Sequence, residues 1–483
     1  DFTYDTDGRL DFITDYAGRV VNYTYDPVTD DLLSVTKPAT PQYPSGVTKS
    51  FSYDTSHNIT SITDARGQTF VTNRYDAEGR VYEQDLGAGT LAFDYSVANQ
   101  TTVTDRKGFV TTYHYNAMGN VSLVETFTNG VRSIASNPYT DPASFITFIA
   151  YNDDMLPVLR RLPRDNTIRY KYDGDNPNPR SRGNLLEVRR TRTSVGTTEE
   201  GEDPTDLVTT FTYETNFNFP KTITDPKGNV TTFTYDYELP VSDPKYGTAG
   251  NLIFIELPTV SAGTPILEYS YNEHGQVTEM VDPNGNKVAY DYHAATGYLH
   301  HLYRDPEGFN ATSTFTYDIH GFLDVVTNAE NHTTDFDYDE LGWLRKVTNA
   351  LGYETHYFQD ENGNQTRVES QASDPAGTWQ VMEFTYDVLN NLKTMKDPLD
   401  RVTTYNYDNN ENVNSIVDAE NNTTSYVYDE RDLLFTVTDA NTPQGITQYD
   451  YDLNGNLTRI TDAEGNETNY TYDLFDRKDT MIY

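Results

Sequence analysis

The sequence predicts an all-β protein in which serial antiparallel β-hairpins form one continuous spiralling β-sheet, a hollow shell or tube. Three observations predict it. A Tyr-Asp…Gly unit recurs along the chain, a second Asp…Gly turn sits between the units, and the intervening segments are rich in Thr, Tyr, Phe and Val.

The repeat comes first, because overlooking one misassigns the whole fold. Clear copies are Tyr4-Asp5…Gly8, Tyr75-Asp76…Gly79, Tyr338-Asp339…Gly342 and Tyr451-Asp452…Gly455. Looser copies are Tyr115-Asn116…Gly119 and Tyr271-Asn272…Gly275. Tyr386, Tyr407 and Tyr428 are spaced by 21 residues, as are Tyr4 and Tyr25, and Tyr451 and Tyr472. With degenerate copies such as Gln359-Asp360 included, about 20 units make residues 1–483 a single array.

The second turn is seen in Asp225-Pro226-Lys227-Gly228, Asp282-Pro283-Asn284-Gly285 and Asp462…Gly465. The pattern is that of a type I turn. Asp caps it with its carboxylate, Pro presets φ, and Gly accepts the left-handed backbone that follows. Asp225, Gly228, Asp282, Gly285, Asp462 and Gly465 are therefore expected to shape turns. Each unit holds two turns and two short strands.

Alternation defines the strands. Thr231 to Tyr235 places Phe233 and Tyr235 on one face, and Thr403 to Tyr407 does the same with Tyr405 and Tyr407. Together with Tyr25, Tyr428 and Tyr472, these rings are expected to stack between units and hold the sheet together. The returning strand poses a problem. Leu457 and Ile460 lie three apart, which strict alternation would put on opposite faces, so either a bulge realigns them or both faces are partly covered.

Composition narrows the class further. Hydrophobic residues are only 36% of the chain, yet 39 Tyr and 22 Phe supply an aromatic content that disordered segments lack. Asp and Glu outnumber Lys and Arg by 74 to 35, for a net charge of −39. Phosphate would be repelled by such a surface, so nucleic acid is not an expected partner. No run approaches 18 apolar residues, so no membrane span is expected in this segment. Zero cysteines exclude disulfides, thiolate zinc sites and a thiol nucleophile.

Geometry supplies the shape. About 40 strands spaced about 4.8 Å apart make a ribbon about 190 Å long and about 25 Å wide. Such a ribbon twists and leaves edges exposed, so it should coil on itself. Wound once, it would enclose a circle about 60 Å across, too wide for side chains to fill.

At these Tyr-Asp…Gly units the chain resembles the YD-repeat, or RHS-repeat, family. The resemblance implies a spiralling β-shell like that of Tc toxin cocoons, polymorphic RHS toxins and teneurins. The core segment that ends the toxin-bearing shells is not seen after Tyr472-Asp473-Leu474-Phe475-Asp476-Arg477, and the chain is expected to be a segment of a longer one. An extracellular or cell-surface location follows from the same resemblance.

Irregular places carry the remaining candidates. Insertions fall near residues 27–50, 124–148, 174–208, 237–267 and 368–382. Val158 to Arg192 holds ten basic residues against four acids. Cross-strand pairing accounts for this island, and the sharper alternative is a docking patch built on Arg160, Arg161, Arg189, Arg190 and Arg192. Asp-x-Asn-Gly-Asn segments invite a calcium reading, but turn chemistry explains them and the later bidentate Glu is missing. His300-His301 is the one adjacent histidine pair, with His293 seven residues before it. No catalytic motif occurs. No enzyme activity, cofactor or metal is expected. The expected function is a structural wall: a tube, fibre or capsule. Self-association or contact with other parts of the same long chain would build it. The alternative is a toxin-delivery shell around a C-terminal polypeptide cargo, and a weaker one is a carbohydrate- or receptor-binding adhesin.

Overall fold

The structure is a computed structural model, and it describes residues 1–128, 142–191, 205–373, 376–441 and 443–483. It contains one antiparallel sheet of 40 strands, from Phe2–Tyr4 to Lys478–Ile482. Each strand pairs with the one before it and the one after it, so the chain runs as an uninterrupted meander. The terminal strands do not pair with each other among the described residues, so the sheet does not close into a barrel. One short 3-10 turn, Asp236–Glu238, is the sole helical element among the described residues, and no helix is long and apolar enough to cross a membrane.

A meander places alternate turns on opposite edges of the ribbon. The Tyr-Asp turns all fall on one edge, here called the tyrosine edge. The second turns fall on the other, the return edge. The turn at Asp462 illustrates the construction. At Asp462, Oδ1 accepts the N–H groups of Glu464 (3.0 Å) and Asn466 (2.7 Å), and Oδ2 accepts Asn466 Nδ2 at 2.8 Å. Gly465 donates its N–H to the Asp462 carbonyl at 3.0 Å and sits at φ +83°. Where Gly is absent, Asn, Asp or Glu usually occupies the same left-handed position, as at Asn421, Asp400 and Glu411, and His57 and Met155 do so in two turns.

The returning strands contain the bulge. In strand Leu457–Thr461, Ile460 faces Tyr449, Arg459 faces Asp450, and Leu457 faces Tyr451, which leaves Thr458 as the extra residue. Tyr449 and Tyr451 share a face, so the bulge brings Leu457 and Ile460 to that face together. The same register shift recurs at most tyrosine-edge turns, including Thr316/Tyr317, Asp337/Tyr338, Asn406/Tyr407 and Val427/Tyr428.

The sheet is a wall rather than the lining of a solid core. Among the described residues the buried hydrophobic side chains are Val47, Val71, Phe145, Tyr235, Ile253, Phe435 and Phe475. The accessible surface is 27528 Å². A compact monomer of this mass would expose about 18,000 Å².

The winding is tighter than the single turn expected from ribbon length. Side chains meet across sequence separations of 282 to 324 residues. The turn after the sixth strand meets the turn after the twenty-ninth, the turn after the tenth meets that after the thirty-third, and the turn after the fourteenth meets that after the thirty-seventh. Each step is 23 strands. At about 4.8 Å per strand the circumference is about 110 Å and the diameter about 35 Å, against the 60 Å expected. Ribbon length fixes only how much sheet there is; twist and edge docking decide where it meets itself.

Candidate functional site: the seam between coils

Two kinds of contact turn hairpins into a wall, the first between neighbouring hairpins. In many hairpins the tyrosine ending the longer strand donates its hydroxyl hydrogen bond to the carbonyl that opens the returning strand of the preceding hairpin. Examples are Tyr407 to Leu392 (2.8 Å), Tyr428 to Val413 (3.0 Å), Tyr292 to Val277 (2.7 Å) and Tyr235 to Pro220 (2.7 Å). Where Gln359 replaces the tyrosine, its Nε2 donates to the Leu344 carbonyl at 3.0 Å, preserving the link. Burial pushes the Tyr235 hydroxyl up to about 12, with Glu214 and Glu238 adding to the shift.

The expected aromatic positions divide by partner. Tyr235 lies against Phe219 and Tyr237 at 5.2 and 5.9 Å between centroids. Tyr25 lies under the Arg9 guanidinium at 5.0 Å, and Tyr428 is 5.8 Å from Lys107 Nζ. Phe233, Tyr405 and Tyr472 sit half-buried in their strands. The carbonyl acceptors were not foreseen, because a backbone oxygen has no side-chain signature.

The second contact is the seam, where the return edge of the first coil meets the tyrosine edge of the second. Around the turn at 15–18, the Tyr16 and Tyr298 hydroxyls lie 3.5 Å apart, and the Arg19 guanidinium sits 5.1 Å over the Phe322 ring. The insertion within 27–50 docks here too. Tyr43 donates to the Gln359 carbonyl at 2.6 Å, and Arg345 donates to Gln42 Oε1 at 2.6 Å. Burial pushes the Tyr43 hydroxyl up to about 12, with Glu361 and Asp360 reinforcing it.

Further along, cations from the first coil meet carboxylates from the second. Arg66 donates to the Asp387 carbonyl at 2.7 Å and lies 3.4 Å from Asp360. Arg106 pairs with Glu411 at 2.7 Å, and Lys107 with Asp408 at 2.8 Å. Arg164 bridges Asp452 at 2.9 Å and Asp476 at 3.0 Å. The Arg106 and Lys107 side chains are only 9% and 17% exposed, so these pairs are screened less than ordinary surface ion pairs. Amide side chains fill the gaps: Asn362 to Asp64 (2.5 Å), Asn410 to Asp105 (2.6 Å) and Asn454 to Asn166 (2.8 Å). Cavities of about 250, 440 and 390 Å³ lie along this line, each lined from both coils.

The seam cations were legible as a contrast between copies. First-coil return turns read Asp64-Ala65-Arg66-Gly67 and Asp105-Arg106-Lys107-Gly108, whereas second-coil ones read Asp418-Ala419-Glu420-Asn421 and Asp462-Ala463-Glu464-Gly465. The basic island is divided by the fold. Its Arg164 enters the seam. Arg160 lines the smallest of the three cavities with Arg431 and Asp476. Arg161 covers Phe148 at 5.5 Å, and Arg189 pairs with Glu187 (2.8 Å) and Asp206 (3.3 Å). Arg190 is exposed, and Arg192 lies outside the described residues. Among the turn positions, Asp225, Asp282 and Asp462 each bind a side-chain amide, from Asn229, Asn286 and Asn466, and Gly228 and Gly285 have φ of +81° and +82°.

The RHS Repeat family model matches residues 271–309, 386–423 and 451–482. No curated protein matches the sequence. Similar folds occur in the crystal structure of TcdB2-TccC3-TEV (16% identity, TM-score 0.70, 95% of this chain and 26% of that one). The crystal structure of TcdB2-TccC3-Cdc42 is also similar (13% identity, TM-score 0.57, 97% and 27%). So is a Photorhabdus luminescens Tc holotoxin pore (13% identity, TM-score 0.53, 99% and 30%). The chain spans between a quarter and a third of the length of these chains. The matched segments and the shared fold describe a repeat protein with a shell-type β-sheet.

Proposed function

We propose that this chain is a length of structural wall, nearly two coils of one sheet around an enclosed space, in a secreted or cell-surface assembly. The seam carries this reading. It joins turns some 300 residues apart with paired charges and shaped amides, which is the chemistry a coil needs to hold its own lumen. The reading calls on no catalytic group.

Charge supports a capsule wall over an endless fibre. To extend the stack, the return edge of the second coil, with Asp418, Glu420, Asp462 and Glu464, would have to receive another tyrosine edge. The open tyrosine edge of the first coil offers Asp26, Asp153 and Asp154, beside Asp5 and Asp7, which pair with Arg9. Like charges would face each other.

Enclosure of a polypeptide is the second reading, supported by the fold likeness to the TcdB2-TccC3 structures. A lumen about 35 Å between strand axes narrows to about 25 Å once side chains are added. A folded domain of about 100 residues is about 33 Å across, whereas an extended chain or a helix about 10–12 Å wide would pass. The cargo admitted is therefore unfolded or helical.

Cryo-electron microscopy of the purified chain tests the proposal. A hollow body with two stacked coils is expected. A solid body, or an open ribbon without a seam, would overturn it. In the natural assembly, irregular density filling the lumen would support enclosure, and an empty lumen in stacked particles would favour a tube.

A further inference from the structure

The tyrosine-edge bulge has a chemical consequence in one hairpin. Strands Lys287–Tyr292 and Leu299–Arg304 pair Asp291 with His301 and Tyr292 with Leu299, so His300 is the extra residue. Adjacent residues of a regular strand point to opposite faces. The bulge cancels that alternation, and both imidazoles converge on one carboxylate. His301 Nδ1 lies 3.0 Å from Asp291 Oδ2, His300 Nδ1 lies 3.8 Å from it, and the two rings are 3.8 Å apart. A third histidine ring, His293 in the adjoining turn, is 6.1 Å from His300.

The same register elsewhere holds an ordinary ion pair. Arg459 faces Asp450 at 2.7 Å, with Thr458 as the extra residue. What differs at 300–301 is that two imidazole rings stand where one guanidinium and a hydroxyl stand in the other hairpin. Among the described residues, Asp291, His300 and His301 form the one group of three or more possible metal ligands, with donor atoms all within 4.8 Å of one another. Two donors on one zinc ion, at about 2.0–2.1 Å each, are about 3.3 Å apart, so small side-chain rotations would complete the set. Two imidazoles and a carboxylate select a borderline transition ion over calcium or magnesium, which prefer oxygen.

We infer that this bulge is a transition-metal site, taking Zn²⁺ or Cu²⁺ through Asp291, His300 and His301 and leaving a coordination position open to solvent or to His293. The test is calorimetric titration of the whole chain with Zn²⁺ in excess Ca²⁺, which occupies weak carboxylate sites. One tight site per chain is expected. His301→Ala should weaken it by more than about a hundredfold, beyond the 10–100-fold that loss of outer-shell support alone costs. His300→Gln, at a position that tolerates different residues in other hairpins, serves as a second variant, with circular dichroism confirming the fold. Cu²⁺ bound in place of Zn²⁺ should show at least two nitrogen donors by electron paramagnetic resonance, and one fewer after His300→Gln. Absence of a tight site, or one unchanged by both substitutions, would overturn the assignment.

Discussion

In units such as those at Tyr292, Tyr407, Tyr428 and Tyr451, a single hydroxyl ties the unit to the one before it. Removing it from Tyr428, whose hydrogen bond to the Val413 carbonyl measures 3.0 Å, leaves a half-buried acceptor without its donor. Tyr428→Phe should therefore lower stability by about 1 kcal/mol, measured as a shift in denaturant midpoint. The turns depend on backbone conformation instead. Gly465 has φ +83° and open space around any added Cβ, so substitution there incurs strain but no clash. Gly465→Ala should be destabilising by about 1 kcal/mol and Gly465→Asn by clearly less, since Asn421 and Asn390 already occupy the same conformation. Turn carboxylates add a pH dependence. Hydrogen bonds from Asn side chains and then from backbone N–H groups hold Asp225, Asp282, Asp418 and Asp462 below the usual carboxylate range. Folded values lie below unfolded ones, so this stabilisation is complete above about pH 3.9 and is lost as pH falls through the folded values. Acid titration followed by circular dichroism should show the sheet intact at pH 5 and failing below pH 4. These turns were readable in the sequence because Asp, Asn and Gly act within four residues of one another. The tyrosine link was not readable, because its acceptor is a backbone atom some 15 residues away.

Hairpins were the most legible level, and their pairing follows from alternation and turn chemistry alone. The bulge was half legible: the spacing of Leu457 and Ile460 demanded either a bulge or two covered faces, and only the register with Tyr449 and Tyr451 decides between them. Edge chemistry was present in the sequence yet had no meaning until the coil brought edges together. Arg66, Arg106, Lys107 and Arg164 stand in turns that look interchangeable with acidic ones further on. Reversing charge at the middle of the seam tests their role. Arg106→Glu combined with Lys107→Glu would set two acids against Glu411 and Asp408, already paired at 2.7 and 2.8 Å in the native wall. Hydrogen exchange should quicken at turns 105–108 and 408–411 while the strands between them remain protected. Unchanged protection at both turns would show that the seam does not rest on these pairs.

At the scale of the whole molecule, the hollow wall was foreseen and its circumference was not. Strand count follows from the repeat, but how many strands complete a turn depends on accumulated twist and on which edges fit, and neither is encoded locally. Twenty-three strands per turn, giving a lumen near 35 Å instead of 60 Å, follow from contacts such as the Ala65 N–H to Asn362 Oδ1 at 3.1 Å. That contact also permits the most direct test of the coil, since the chain contains no cysteine to interfere. Cysteines introduced as Ala65→Cys and Glu361→Cys should be joined within one chain by a short bismaleimide, and the product should migrate as a closed loop under denaturing conditions. A pair moved by one hairpin, Ala65→Cys with Leu341→Cys, should react far less. Preferential reaction of the displaced pair, or none by either, would contradict a sheet that meets itself after 23 strands.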